Sequence, residues 1–464
     1  MKWGWPTAVC SLFVLSGTAV CLGAEEPAKD SPSVIAATRE DLKQQLELSK
    51  QSHPRLPLPE PTQADHAEAK AKAAEAKAKA GSGTSRNGAS GLGGGIVNNG
   101  RMRKIYLPAE FSVPGFSREP DSAMSVDDTF KVMFFWIVSR ANNCTYCQGH
   151  QEIKLSSAGV KEDTIAALDY DWSEFNPAER AAFAFTLKLT KEPQSITAAD
   201  IDRLRSHYKD LQILEIIMAV SGFNCMNRWT GPLAIPQEPH RVYLTQTPEK
   251  YKGKRSLVAP LDPSATVPSC ARPVDRGALE SRSEVEAALA ACKTRTPRLP
   301  LADADQARSA LPADWSGSGA LPQWVRLLAN FPKGGKSSIA STYHSQTKGR
   351  LDAKLRAEIA WVAARHDRAW YALGHAQRRL HDLGFSDDAM YKLDQPGDAF
   401  PPAERAVLAL ARKITVDPAL VTEADIERLR KNYSDHEVAE IVHQITQAAF
   451  FDRLTEAAGL ALED

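Results

Sequence analysis

Phe175-Asn176-Pro177-Ala178-Glu179-Arg180 decides how this chain is read, because Phe400-Pro401-Pro402-Ala403-Glu404-Arg405 answers it 225 residues later. Outward from there the same offset keeps working. Thr197-Ala198-Ala199-Asp200-Ile201 recurs as Thr422-Glu423-Ala424-Asp425-Ile426, and Trp136, Gly159, Tyr208 and Arg228 recur as Trp361, Gly384, Tyr433 and Arg453. An ungapped offset over so long a span is a tandem duplication. Pro54-Arg55-Leu56-Pro57-Leu58 also recurs, as Pro297-Arg298-Leu299-Pro300-Leu301, at an offset of 243. An insertion within the Ala/Lys and Gly/Ser tract of the first copy accounts for the difference.

Each copy reads as helices. Thr197 and Asp200, like Thr422 and Asp425, have capping-box spacing ahead of an amphipathic run. Pro177 and Pro401/Pro402 fit helix starts, and Gly159 and Gly384 fit helix stops. Leu211 to Val220 and Glu437 to Phe451 are rich in apolar residues, as expected of a buried helix closing each bundle. Neither copy shows a sustained strand alternation. The expected fold is all-α: two tandem helical bundles, with disordered N-terminal and linker segments.

The boundaries follow from composition. Residues 25–100 are expected to be largely disordered, with a short helix over Thr38–Lys50, a lone solvated helix over the Ala/Lys tract Ala64–Lys79, and a flexible Gly/Ser/Asn tract from Gly81 to Gly100. The first bundle spans 101–236, a proline-rich connector 237–281, and the second bundle 282–464.

Lys+Arg and Asp+Glu both number 57, so the net charge is zero. That balance, without a basic block, argues against a nucleic-acid partner. Residues 1–24 have the pattern of a secretory signal: Lys2, an uncharged apolar run from Ala8 to Leu22, then small Gly23 and Ala24. The run is short for a membrane span and no other approaches one. The expectation is an exported protein, periplasmic or extracellular, with no membrane span. Cys10 and Cys21 would leave with the signal, so Cys144, Cys147, Cys225, Cys270 and Cys292 remain.

The chemistry concentrates in Asn142-Asn143-Cys144-Thr145-Tyr146-Cys147-Gln148-Gly149-His150-Gln151, after the apolar run Val132 to Val138. Thiols three apart at a helix start share one face and can join and part again. Either asparagine could cap that helix and set Cys144 in its first turn, where the free N–H groups favour thiolate. His150 lies one turn past Cys147, within reach of a shared proton. The candidate catalytic residues are therefore Cys144, Cys147 and His150.

The second copy tests this assignment. Ala369 and Ala372 stand where the thiols would be, so the fold does not need sulfur there, whereas His150 is kept as His375. Other uses of the spacing are a static disulfide, or a zinc site from Cys144, Cys147, His150 and a fourth ligand. Covalent haem is disfavoured because Gln148, not histidine, follows Cys147. Cys225 corresponds to Phe450, as expected of a buried, inert thiol. Cys270 and Cys292 could pair as a disulfide. Arg228 and Arg453 are expected to make structural polar contacts.

The apolar helix leading into Asn142 to His150, the later Phe223-Asn224-Cys225-Met226-Asn227-Arg228-Trp229, and the Pro-Ala-Glu-Arg segment together resemble the carboxymuconolactone decarboxylase/alkylhydroperoxidase-like family. In the second copy Phe450-Phe451-Asp452-Arg453-Leu454 resembles the same closing helix. The resemblance covers about residues 101–236 and 320–464. It implies an all-helical fold that associates into homo-oligomers, and reduction of a hydroperoxide or disulfide substrate. No cofactor is implied beyond a redox-active disulfide, and an external dithiol would be the reductant. Carried over, Cys147 would attack the peroxide and Cys144 would resolve it. The chain departs from the family in two places. The family's histidine position is Gln151 here, and its relay glutamate would fall near Val132, with Asp127, Asp128 and Glu152 the nearest carboxylates.

Overall fold

A computed structural model describes residues 34–81, 96–111, 121–260, 277–317, 319–395, 397–398 and 400–463. The described residues are all-α, and their only bridge outside helices joins Thr38 to Arg255. The signal-like residues 1–24, most of the Gly/Ser/Asn tract, and Cys270 lie outside the described residues.

Capping and termination occur where the sequence places them. Asn176 and Glu179 form a capping box on the helix Pro177–Lys191, and Thr197 and Asp200 one on Ala198–Arg205. Thr422 and Asp425 repeat the latter on Glu423–Arg430. Gly159 and Gly384 sit at φ 83° and 85°, the left-handed conformation in which a glycine ends a helix without a Cβ clash. The closing helices are Asp210–Thr230 and Asp435–Ala458, each with most of its residues buried.

These two helices pack on each other and join the copies into one core. The contact is reciprocal. Arg228 Nη2 donates to Thr415 O at 3.4 Å, and its equivalent Arg453 donates through Nη2 to Thr190 O at 3.1 Å. Thr190 and Thr415 are themselves equivalent, so residue i meets j of the other copy and j meets i, the pattern of an isologous pair. Both arginines thus make the structural contacts expected of them. Among the described residues no helix is long and apolar enough to cross a membrane.

Two segments are more structured than their composition implies. Residues 34–60 belong to a tract expected to be largely disordered around a short helix over Thr38–Lys50; that helix is present as Arg39–Leu48, and the segment is packed, with Leu42, Leu46 and Leu56 in the core. Arg55 N donates to Leu233 O, and its repeat equivalent Arg298 N donates to Ala458 O, so both Pro-Arg-Leu-Pro-Leu segments dock at the C-terminal end of a closing helix. The start of the expected connector is also packed: Gln237, Glu238, Arg241 and Tyr243 are buried. Proline prevents helix there but leaves these side chains free to lie across the bundle as a strap.

Candidate functional site

The helix Asp128–Ala141 ends at Asn142, and the chain reverses through Asn143 at φ 50°. Cys144 N donates back to Ser139 O at 2.9 Å. Cys144 is then itself the N-cap of Thr145–Ser157, its Sγ accepting the Cys147 N–H at 3.4 Å. This corrects the expectation that an asparagine caps this helix. Asn142 is occupied elsewhere, its Nδ2 donating to Asn224 Oδ1 and Asn227 Oδ1, both at 3.1 Å. Asn143 donates to Val34 O at 3.1 Å. The second copy makes the same turn through Arg368 at φ 51°, with Ala369 N bonded to Ala364 O at 2.9 Å. The backbone alone therefore builds the turn, and sulfur is an addition to it.

Both thiols are free and buried, each 2% exposed. They converge on a residue absent from the sequence expectations. Thr230 Oγ1 lies 3.0 Å from Cys144 Sγ and 2.9 Å from Cys147 Sγ. Burial works against charge on either sulfur, but hydrogen bonds from Cys147 and Thr230 outweigh it at Cys144 and hold that thiol below its ordinary range. Cys147 goes the other way, pushed well up by burial and by the neighbouring Cys144. The pair is thus split into a sulfur poised to ionise and one that keeps its proton. Cys225 and Cys292 are free, buried thiols raised to about 11 by burial.

His150 meets a carboxylate from a different place than expected. Its Nε2 is 2.9 Å from Glu238 Oε2, while Tyr146 OH donates to Glu238 Oε1 at 2.8 Å. Arg241 Nε and the backbone N–H of Asn98 also donate to this carboxylate, at 2.7 and 3.0 Å. Despite its burial, Glu238 is held down at about 2 by His150 and Arg241, and burial lowers His150 in turn. Of the carboxylates around Val132 in the sequence, Glu152 is committed to Arg39 at 2.8 Å and to Trp136 Nε1 at 2.6 Å. Asp127 caps its own helix.

The second copy repeats this cluster without thiols. His375 Nε2 lies 3.2 Å from Glu463 Oε2, and Tyr371 OH donates to Glu463 Oε1 at 2.8 Å. Glycine makes room for the strap in both copies. A Cβ on Gly149 would lie 2.2 Å from Gln237 Nε2, and one on Gly374 2.3 Å from Leu462 Cδ2. Gln237 Nε2 uses that space to donate to Thr145 O and Tyr146 O, the two residues between the cysteines, at 2.8 and 2.9 Å. The cluster therefore clamps the start of the helix, and its retention beside alanines marks it as architecture.

Among the described residues no group of three or more histidine, cysteine, aspartate or glutamate side chains is placed to hold a metal. The fourth ligand that the zinc alternative requires is not assembled beside Cys144, Cys147 and His150. Compared with protein-family models and with curated proteins, the chain matches none.

Proposed function

We propose that this protein is an exported thiol oxidoreductase of the alkylhydroperoxidase-like type, in which Cys144 and Cys147 cycle between dithiol and disulfide. Its substrate is a hydroperoxide or a disulfide, and an external dithiol restores the pair. The observation that carries this reading is the convergence of both sulfurs on Thr230 at a helix N-terminus, in the one copy that has them. First attack falls to Cys144 rather than to Cys147 as the family resemblance implies, because Cys144 is the sulfur stabilised as thiolate. With a hydroperoxide, the Cys144 thiolate takes the terminal oxygen, becoming a sulfenic acid and releasing an alcohol once a proton is supplied. Cys147 then attacks Cys144 Sγ, water leaves, and the disulfide closes. His150 acts through Glu238 and Tyr146 to hold the helix start.

Cys144→Ser is expected to abolish hydroperoxide or disulfide turnover, whereas Cys147→Ser arrests the enzyme as a sulfenic acid or mixed disulfide on Cys144, seen by mass spectrometry. Full turnover in Cys144→Ser contradicts the reading. The burial of both sulfurs favours a second reading, a non-catalytic helical binding or assembly module in which the same pair is a permanent disulfide.

A further inference from the structure

Thr230 touches both sulfurs, and a hydroxyl offers one proton and two lone pairs to share among its neighbours. Three atoms lie in range: Cys144 Sγ at 3.0 Å, Cys147 Sγ at 2.9 Å, and Met226 O at 3.0 Å, one turn back on the same helix. With both thiols protonated, the hydroxyl donates to Met226 O and accepts from sulfur. Once Cys144 ionises, a rotation of the hydroxyl points its proton at the thiolate while its oxygen still accepts the Cys147 S–H. The resulting chain runs from Cys147 S–H through Oγ1–H to Cys144 Sγ.

The second copy separates this arrangement from ordinary helix packing. Thr455, the equivalent of Thr230, donates to Phe451 O at 2.8 Å, although Ala369 and Ala372 leave it no sulfur to meet. The bond to the preceding turn is thus common architecture, and the two sulfur contacts are particular to the first copy.

We propose that Thr230 is the positioning residue of the redox pair: its hydroxyl stabilises the Cys144 thiolate and relays the proton by which the two sulfurs exchange roles. This rests on the redox reading of the site. For a disulfide substrate RS–SR′, the Cys144 thiolate attacks one sulfur, forming Cys144–S–SR and releasing R′S⁻. Cys147 gives its proton to Thr230 Oγ1 as the hydroxyl passes its own to the departing thiolate, and Cys147 Sγ attacks Cys144 Sγ, expelling RS⁻, which takes a proton from solvent. The substrate gains two electrons and leaves as two thiols, the pair loses two electrons as its disulfide forms, and Thr230 ends protonated, as it began.

The test is a pH titration of thiolate ultraviolet absorbance in the reduced full-length protein, corrected with the Cys144→Ser/Cys147→Ser double variant. Thr230→Val is expected to move the midpoint of the first ionisation up by about one pH unit, a roughly tenfold loss of thiolate below the midpoint, since a hydrogen bond to a charged acceptor is among the stronger ones. Thr230→Ser should restore it, and Thr455→Val, which loses the equivalent bond to the preceding turn, should leave it in place. An unmoved midpoint in Thr230→Val overturns the proposal, as does a shift of equal size in Thr455→Val. Should the valine variant fail to fold, Thr230→Ala, which also removes the hydroxyl, is read in its place with the same two outcomes; a shifted midpoint in Thr230→Ser also contradicts the proposal. The titration uses no substrate. A negative turnover assay would remove the redox reading and leave this result standing.

Discussion

The helix Thr145–Ser157 and its counterpart Trp370–Asp382 begin with the same backbone and differ in what they place on it. Each follows a left-handed residue, Asn143 or Arg368, and each is clamped by a Tyr–Glu–His cluster. Around that frame the first copy has Cys144, Cys147, Asn142 and Asn227, and the second has Ala369, Ala372, Asp367 and Asp452. Asp367 accepts from the interface arginine, Arg453 Nη1, at 2.8 Å, and burial pushes Asp452 well up. Where thiols are present the acids have become amides. A carboxylate next to a sulfur would oppose thiolate formation, whereas the Asn227 amide favours charge on the neighbouring Cys147, against the burial that pushes that thiol up. One copy has the scaffold alone and the other adds two thiols to it.

The largest effect that could break this comparison concerns the clamp. Glu238 is almost wholly buried and titrates at about 2 in the folded chain. A carboxylate depressed on folding contributes stability above its unfolded pKa, and that contribution is lost as pH falls through the folded value. The window therefore runs from the ordinary glutamate range down to about 2, and the shift is equivalent to about 3 kcal/mol. Glu238→Gln should lower the thermal midpoint at neutral pH, with the difference from wild type shrinking as the solution is acidified. Glu463→Gln should do the same less strongly, because that side chain is 25% exposed. Equal stability of Glu238→Gln and wild type at pH 7 would show that the cluster does not hold the helix.

A smaller effect sharpens the contrast in charge. Asn227→Asp installs in the first copy the acid that the second copy carries. It should raise the pH of thiolate formation by about one unit and slow reaction of the pair at neutral pH about tenfold, followed by thiolate absorbance and turnover. An unchanged titration would mean that the amide-for-acid exchange serves packing alone.

Most of the fold was legible because the chain states it twice. Pro177, Thr197, Gly159 and their partners mark helix ends by local chemistry, and the repeat filters out accidental matches. Residues 34–60 were underrated because the tract after them is polar and repetitive, although the recurrence of Pro54 to Leu58 at Pro297 to Leu301 was the signal that they belong to the bundle. The cysteines announced themselves by spacing. Thr230 and Glu238 did not, since a threonine inside a helix and a glutamate between prolines carry no pattern of their own. Both nevertheless have equivalents at the common offset, Thr455 and Glu463, and pairing them there would have pointed to the strap. The split between the two sulfurs could not be read from sequence, because it depends on distances of a few ångströms to one hydroxyl.

The most direct measurement is the reduction potential of the Cys144–Cys147 couple, taken by equilibrium against defined dithiol/disulfide buffers with mass-spectrometric readout. A working pair is predicted to exchange reversibly at a potential above about −300 mV. A disulfide that forms once and stays closed well below that value would contradict it, leaving two helical bundles joined by their closing helices and a covalent staple in one of them.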